Sequence, residues 1–558
     1  MTYADKPWLK SYFVGPFKLK KTMAPYPSIS VYKFLEDAAN DYPENIATVY
    51  LDHELTYEEL KLKVDKLATA LADLGVQKGD KVATILPSCP QFIIADYAIM
   101  RLGATHVPLS ILHKAPEILH ELDVSEAETI ICSYRRLQHI DSIKARMKTK
   151  LKTLIYTPVS IFPDYSLPEV QDVPNAHQLE LLIKKYDPNP PEVEIDPEND
   201  LALLPFTGGT TGVPKATMLT HSNLTTNVAQ SFHWMMEPLS SGIKGKAALV
   251  ICVPMFHQYG HWVLHAAVSW GLKMWIVDPR DIGQIASIIK QNRPFGTFAV
   301  PTHYTWLLKS KDIKKIPSFF YSGAAALPPD LAKAFEKKVG VPMGEGYGMT
   351  EATAASHINI SAISKVTGFM AKVKRSIGVP LPDTEVKILD QDTGEEVPAG
   401  EAGELWIRGP QVMKGYWPTP GSGLQADGWL ATGDIGKMDE DGYFHIVDRI
   451  KDMVNVSGMK VYSRLVDDVL YEHPAVSEAG IIGVPDPKRP GSERIKAYVA
   501  LKSDYEGEVT AEDIISHCKE KLPPYAIPKS IEFRESLPLT LVMKVDKKKL
   551  REENEGSH

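Results

Sequence analysis

The nine residues Thr207-Gly208-Gly209-Thr210-Thr211-Gly212-Val213-Pro214-Lys215 hold three threonines, three glycines and one lysine. Glycines let backbone N–H groups close on an anion, hydroxyls add donors and the lysine adds charge, which is the composition of a phosphate cradle. A flexible turn is the competing reading, but turn chemistry alone rarely concentrates Thr, Gly and Lys in this way. The segment is not a Walker A loop. Val213 and Pro214 separate Gly212 from Lys215, and Ala216 stands where a hydroxyl would be needed.

A second segment, Gly346-Tyr347-Gly348-Met349-Thr350-Glu351, contains a partial Gly-x-Gly. Thr350 and Glu351 fall where a dinucleotide fingerprint would place a helix-packing glycine, which weakens that reading. An aromatic ring, a hydroxyl and a carboxylate so close together suit base stacking, phosphate contact and Mg²⁺ coordination. His257, in Pro254-Met255-Phe256-His257, is either a ligand-facing group or a hydrogen-bonded core histidine. Near the end, Lys544, Lys547, Lys548, Lys549 and Arg551 form a charge run, and such runs are ordinarily solvated faces.

Elements must bring these segments together. From Lys81 the chain alternates β-branched runs with helical periods: KVATIL, a helix over 91–102, THVPLS, another helix, then ETIICS. After Asp200 a second series follows in ALLPF, ALVICVPM, KMWIVD, GTFAVP and SFFYSG. This is the βαβ texture of mostly parallel sheets covered by helices, in two α/β layers. Between 163 and 199 the abundance of Pro, Asp and Glu predicts a loop. From 379 to 449 hairpin-like strands separated by Gly, Asp and Pro predict a small β subdomain. After Arg449 a short α+β pattern appears, with helices over 463–472 and 511–521.

The fold class expected is therefore α/β: a large N-terminal domain (1–449) of two layered α/β subdomains plus a small β subdomain, then a small α+β C-terminal domain (450–558), whose mobility is implied only by the resemblance given below. A length of 558 residues supports several cores, and 44% hydrophobic with 24% charged residues is a globular composition. A formal net charge of −8 offers no global basic footprint for nucleic acid, so no nucleic-acid partner is expected. Cys89, Cys132, Cys252 and Cys518 form no Cys-x-x-Cys pair, which fits a reducing cytoplasm. The start, MTYADKPWLKSYFVG, carries charge where a secretion signal needs an apolar stretch. Residues 262–277, interrupted by His265, Gly271 and Lys273, fall short of the roughly 20 apolar residues of a membrane helix. Peripheral membrane contact and a homodimer stay open.

Together with Ser322-Gly323-Ala324-Ala325, Thr432-Gly433-Asp434 and Asp448-Arg449-Ile450-Lys451-Asp452, these segments resemble the adenylate-forming (AMP-binding) superfamily. In SIGVPLPDTEVKILD, VMKGYW and YEHPAVSEAGIIGVPD the chain is similar to bacterial and archaeal long-chain fatty-acyl-CoA ligases. The resemblance implies that Thr207, Gly208, Gly209, Thr210, Thr211, Gly212 and Lys215 hold the ATP phosphates, with Thr350 adding a contact and Glu351 binding Mg²⁺. It implies that Ala324, Ala325, Tyr347 and Gly348 line the adenine, and that Asp434, beside Arg449, takes the ribose hydroxyls. His257 falls at the acyl mouth, Gly458 on the loop that passes the CoA arm, Lys451 at the hinge, and Lys544 at the lysine of adenylation.

Three departures from the family pattern bear on the outcome, one being that KGYW runs into PTPGSG instead of a Pro-Glu-rich helix start. Met543 stands where relatives carry glycine before the lysine, and backbone freedom is lost there. Leu465 interrupts a family pattern and is expected to join Val466, Val469 and Leu470 on an apolar helix face. The activity implied is an acid–thiol ligase with ATP and CoA as substrates: a carboxylate is activated as acyl-AMP, then passed to CoA. The alternatives are an adenylation enzyme for another acid or a carrier-protein acceptor, and an inactive relative that only binds nucleotide or acyl group.

Overall fold

The computed structural model of the chain describes residues 2–136, 140, 150–158, 176–207, 214–366, 374–505, 507–540 and 545–555. One sheet runs in the order Leu219–Thr220, Leu201–Leu203, Thr105–Pro108, Lys81–Ile85, Thr129–Ser133, Thr153–Thr157, Ala176–Gln178. Its pairings are parallel except at the Leu219–Thr220 edge. Thr129–Ser133 is buried throughout, and Lys81–Ile85 at all but its first residue. Continuous burial is what a parallel strand covered on both faces requires, and it explains why these runs do not alternate polar with apolar.

The second sheet has at its centre the parallel strands Met343–Tyr347, Phe319–Ser322, Gly296–Ala299, Ala248–Ile251 and Lys273–Ile276. Ile46–Tyr50, paired with Lys273–Ile276, and His53–Thr56 finish one side, although both precede Lys81, where the alternating texture begins. The helix Pro90–Arg101 packs on the first sheet and Gln258–Ser269 on the second. Phe92 to Met100 are all buried, as are Gly260 to Val268, so these helices lie in the interior of the large domain.

Three sequence expectations need correction. Leu201–Leu203 belongs to the first sheet, where Leu203 pairs with His106, so the second series of strands begins only at Ala248–Ile251. The stretch expected to loop contains the strand Ala176–Gln178 and the helix Leu179–Lys185. Leu179 and Leu182 supply a buried face there, one helical turn apart, which the surrounding Pro and acidic residues obscured. Val379–Pro380 is the edge of the second sheet, and the small β subdomain is the antiparallel sheet Glu385–Leu389, Gly403–Arg408, Leu430–Met438, Phe444–Arg449.

Beyond Arg449 come a turn, Ile450–Asp452, and the hairpin Val454–Val456 with Met459–Val461. The sheet Val476–Pro485, Glu493–Leu501, Ser530–Phe533 then packs with helices Ser463–Tyr471 and Ala511–Lys521 around its own core of Val466, Leu470, Ile481, Val499 and Ile514. Thr510 caps the second helix by accepting from Asp513 N, and Asp513 returns the bond to Thr510 N. Leu465 is 49% exposed, against expectation. Ser463, Val466, Val469 and Leu470 make the buried stripe, and at about 100° per residue Leu465 lies outside it.

Candidate active site

The strands Phe319–Ser322 and Met343–Tyr347 are parallel neighbours, with Ser322 opposite Glu345, so the segments after them emerge side by side. Ala324 and Ala325 follow one strand, and Tyr347 closes the other. Carboxyl ends of adjacent parallel strands are where α/β sheets open crevices for ligands. Gly348 is obligatory in this backbone, since a Cβ there would lie 1.5 Å from the carbonyl oxygen of Ala354. Ala324 itself has φ +62°, a left-handed turn that redirects the chain immediately past the sheet.

Tyr347 donates through its hydroxyl to Asp434 Oδ2 at 2.6 Å. Arg449 Nε lies 3.1 Å from the other oxygen, Oδ1, because Asp434 and Arg449 are cross-strand partners in the antiparallel β subdomain. Burial, followed by the Asp434 charge, pushes the Tyr347 phenol well above its ordinary range, so it remains a donor. The sheet of one subdomain and the hairpin of another thus meet on one carboxylate.

Glu351 sits in a single 3-10 turn, Thr350–Ala352, and is 8% exposed. Its Oε1 accepts from the Tyr416 hydroxyl at 2.8 Å, and its backbone oxygen accepts from Met413 N at 2.8 Å. Lys215 Nζ lies 4.9 Å from the centroid of the Tyr416 ring. Tyr416 therefore links the lysine of the Thr/Gly loop to the carboxylate of the second motif. Burial pushes the Glu351 carboxyl above its ordinary range. A carboxylate held this way is relieved by a hard divalent cation, so the residues present fit Mg²⁺.

The Thr/Gly loop is spanned by a short hairpin: Thr207 pairs with Lys215 in antiparallel register, and the Thr207 hydroxyl reaches the Lys215 carbonyl at 3.5 Å. This separates it from Walker A, in which a helix follows. Gly208, Gly209, Thr210, Thr211 and Gly212 lie outside the described residues, as do Met543 and Lys544. On either side of Lys544, Asp546 N donates to Pro538 O at 2.7 Å and Leu539 bridges Val545.

His257 caps the helix Gln258–Ser269, its Nδ1 accepting from Tyr259 N at 3.3 Å. It is half-buried. Gly458, φ +87°, forms the hairpin turn with Ser457 and donates to Asn455 Oδ1 at 2.9 Å. Nothing lies within 4 Å of where its Cβ would stand, so the space above this turn is open. Lys451 lies in the turn Ile450–Asp452, and burial followed by the neighbouring Arg449 charge holds its ammonium down to about 8.

The charge run near the end is not simply solvated. Lys547 donates to Ser463 Oγ at 2.7 Å and to Asp467 Oδ2 at 2.5 Å, with its side chain only 14% exposed. Arg551 pairs with Asp452 at 2.5 Å and donates to the Lys451 carbonyl at 3.2 Å. Spacing along the chain could not reveal these partners, which lie 80 to 100 residues earlier. Tyr416 was missed for a similar reason, although it lies inside the VMKGYW segment. Glu345, pushed up to about 7 by burial and accepting from Leu327 N at 3.1 Å, was also missed.

Similarity to known proteins identifies the family. Residues 35–417 match the AMP-binding enzyme family and 465–544 the AMP-binding enzyme C-terminal domain. The chain belongs to the AMP-binding enzymes and, within them, to the AMP-forming acyl-CoA ligases. It is 34% identical to the long-chain-fatty-acid–CoA ligase of Bacillus subtilis, with 100% of this chain and 99% of that protein covered. It is 32% identical to a feruloyl-CoA synthase of Amycolatopsis, over 89% and 93%. Among solved structures it resembles the anthranilate CoA ligase AuaEII in complex with anthranoyl-AMP, at 25% identity and a TM-score of 0.84 over 97% and 99% of the chains. ATP-bound MatB of Rhodopseudomonas palustris gives 25% identity and a TM-score of 0.81, over 94% and 99%. No helix among the described residues is long and apolar enough to cross a membrane.

Proposed function

We propose that this protein activates a medium- to long-chain fatty acid with ATP to acyl-AMP and transfers the acyl group to CoA, releasing pyrophosphate and AMP. The observation that carries this reading is the convergence of the two networks, Tyr347–Asp434–Arg449 and Lys215–Tyr416–Glu351, beside the strand ends. The first offers a ring, a carboxylate and a cation to a nucleoside, and the second offers charge to its phosphates. Full-length similarity to long-chain-fatty-acid–CoA ligases supports the acid.

A carboxylate is a poor electrophile, so direct thioester formation is unfavourable in water. In the proposed sequence the carboxylate oxygen attacks the α-phosphorus, pyrophosphate leaves, the CoA sulfur then attacks the acyl carbonyl, and AMP leaves. The protein's work is positioning and charge neutralisation, and no covalent enzyme intermediate is required. Lys544 faces the charge gathering between carboxylate and α-phosphate, and Lys215 faces the departing phosphates. Asp434 accepts from the ribose hydroxyls, while Ala324, Ala325, Tyr347 and Gly348 wall the adenine. Mg²⁺, when bound at Glu351, supplies further neutralisation of phosphate charge. His257 borders the acyl mouth, and Gly458, whose turn is open, passes the CoA arm. The domains divide at 449/450, and the small domain turns about Lys451 to exchange the Lys544 face for the Gly458 face.

Pyrophosphate release and thioester formation, measured with acids from acetate to palmitate, test this reading. Activity peaking at medium or long chains supports it. A second reading, an aromatic acid, is favoured by the likeness to the feruloyl and anthranilate enzymes. Ferulate, benzoate and anthranilate therefore belong in the panel, and turnover confined to them would replace the fatty acid. CoA-independent release without thioester would point to another acceptor, and no release with any acid would indicate a binding protein.

A further inference from the structure

Away from the nucleotide residues, Asp96 lies fully buried in the helix Pro90–Arg101 with three imidazoles turned onto it. His261 Nε2 is 3.0 Å from Oδ1, His265 Nε2 is 3.0 Å from Oδ2, and His106 Nδ1 is 2.6 Å from Oδ1. His261 and His265 are one turn apart on the helix Gln258–Ser269, so both rings leave the same face. The four groups come from both layers of the large domain: Asp96 and His106 from the first sheet and its helix, His261 and His265 from the helix on the second. None of the ionic partners given for Asp96 among the described residues is a lysine or arginine.

A carboxylate at zero exposure is costly unless it is paired. His261 meets Asp96 through Nε2, and its other ring nitrogen, the buried Nδ1, has no hydrogen-bond partner among the described residues. The ligand atoms of Asp96, His261 and His265 all lie within 4.8 Å of one another. Metal–ligand bonds of about 2.0–2.1 Å set tetrahedral ligand atoms about 3.3 Å apart; the two 3.0 Å contacts run to different oxygens of Asp96 and the whole set lies within 4.8 Å, so the side chains close by small shifts to enclose an ion. His106 is placed as an outer partner: Thr84 Oγ1 meets its Nε2 at 2.8 Å, which leaves Nδ1 to hold the Asp96 carboxylate in orientation. The rings of Phe92 and Tyr97 lie against the histidines and keep the region dry.

We infer that Asp96, His261 and His265 form a structural site for a zinc-class divalent transition ion that clamps the two α/β layers together. Two neutral imidazoles and one carboxylate suit such an ion, whereas Mg²⁺ prefers oxygen alone. The second oxygen of Asp96 or a buried water completes the fourth position. With Asp96, His261 and His265 all buried, the ion enters as the chain folds. His257 begins the same helix one turn before His261, so the clamp also sets the position of the group proposed at the acyl mouth.

The test uses the full chain without a polyhistidine tag, purified from zinc-supplemented medium, desalted and measured by elemental analysis. About one zinc per chain is expected, and His261→Gln and His265→Gln should each lower it at least tenfold, while the surface variant His445→Gln keeps it. X-ray absorption at the zinc edge should show N/O ligands at about 2.0–2.1 Å with imidazole scattering, a readout that stands even if the variants fail to fold. A folded parent holding less than a tenth of a transition ion per chain, also after refolding with excess zinc, overturns the site. So does full zinc content in folded His261→Gln and His265→Gln, or an absorption spectrum dominated by sulfur.

Discussion

Two charged assemblies flank the junction at Arg449, and they are built to opposite ends. On the large-domain side, Asp434 and Glu351 each accept from a tyrosine hydroxyl while Arg449 and Lys215 keep exposed flanks. On the small-domain side, Asp467 accepts from Lys547 and Ile481 N and Asp452 from Arg551, while Asp448, at the end of the β subdomain, accepts across the junction from Ser463 N and Ser463 Oγ. Groups proposed to meet a ligand are left with something to offer. Groups that hold the small domain together are saturated by protein, because a buried charge left unpaired costs several kcal/mol.

Substitutions should therefore separate cleanly, activity from fold. The largest effect is expected for Lys544→Ala. Removing a charge that acts only while the α-phosphate is attacked should lower adenylation by about 10²–10³-fold and leave thioester formation from supplied acyl-AMP nearly unchanged. Equal loss in both half-reactions, measured separately, would remove Lys544 from its proposed role.

Glu351→Gln comes next. The amide keeps the shape but not the charge, so Mg²⁺-dependent turnover should fall by about tenfold or more, with a Mg²⁺ titration shifted to higher concentration. Thermal unfolding should not fall, because the ionised Glu351 is itself destabilising. Its folded pKa is raised, so it contributes stability only while protonated, and that contribution is lost as pH rises from its ordinary value through the raised one. A lower Tm with an unchanged Mg²⁺ titration would place Glu351 in the structural class.

Lys547→Ala probes the other assembly. Asp467, already pushed up to about 6 by burial even with Lys547 beside it, would lose its cation. A cost of about 3 kcal/mol is expected, with both half-reactions falling in proportion to the folded fraction. Selective loss of one half-reaction in a fully folded variant would make Lys547 more than a latch.

The junction itself is the sharpest place to cut. Lys451→Pro fixes φ near −65° and removes an N–H, so the half-reactions should part: one retained, the other down sharply, with circular dichroism unchanged. A folded variant with both rates intact would move the hinge elsewhere. The smallest effect concerns pH. With the folded Lys451 pKa near 8 and the ordinary value 10.5, the charged form opposes this arrangement below about pH 8. Stability should then rise as pH climbs from about 8 to about 10.5, where the unfolded chain binds the extra proton. Lys451→Met should flatten that part of the stability–pH curve, and an identical slope would clear Lys451 of the effect.

Much of the molecule was legible in one dimension. Alternating buried runs and helical periods marked the strands Lys81–Ile85, Ala248–Ile251 and Phe319–Ser322, and the helix Ala511–Lys521 fell on its expected residues. Thr207 to Lys215 and Gly346 to Glu351 stood out because their chemistry is packed into single loops. Leu465 failed because a nine-residue helix carries two apolar directions and periodicity alone does not say which is covered.

By itself, then, the sequence determined the local pieces: which segments become strands or helices, which loops suit phosphate, and the family they resemble. Those properties depend on neighbours a few residues apart. Only the tertiary structure decided that Tyr416 would bridge Lys215 and Glu351, that Lys547 would leave its charge run for Asp467, and that Asp96 would meet His261 and His265. Tyr416 lies 65 residues from Glu351 and Asp96 lies 165 from His261, and pairings at that range follow from strand order and layer packing, which no local pattern encodes.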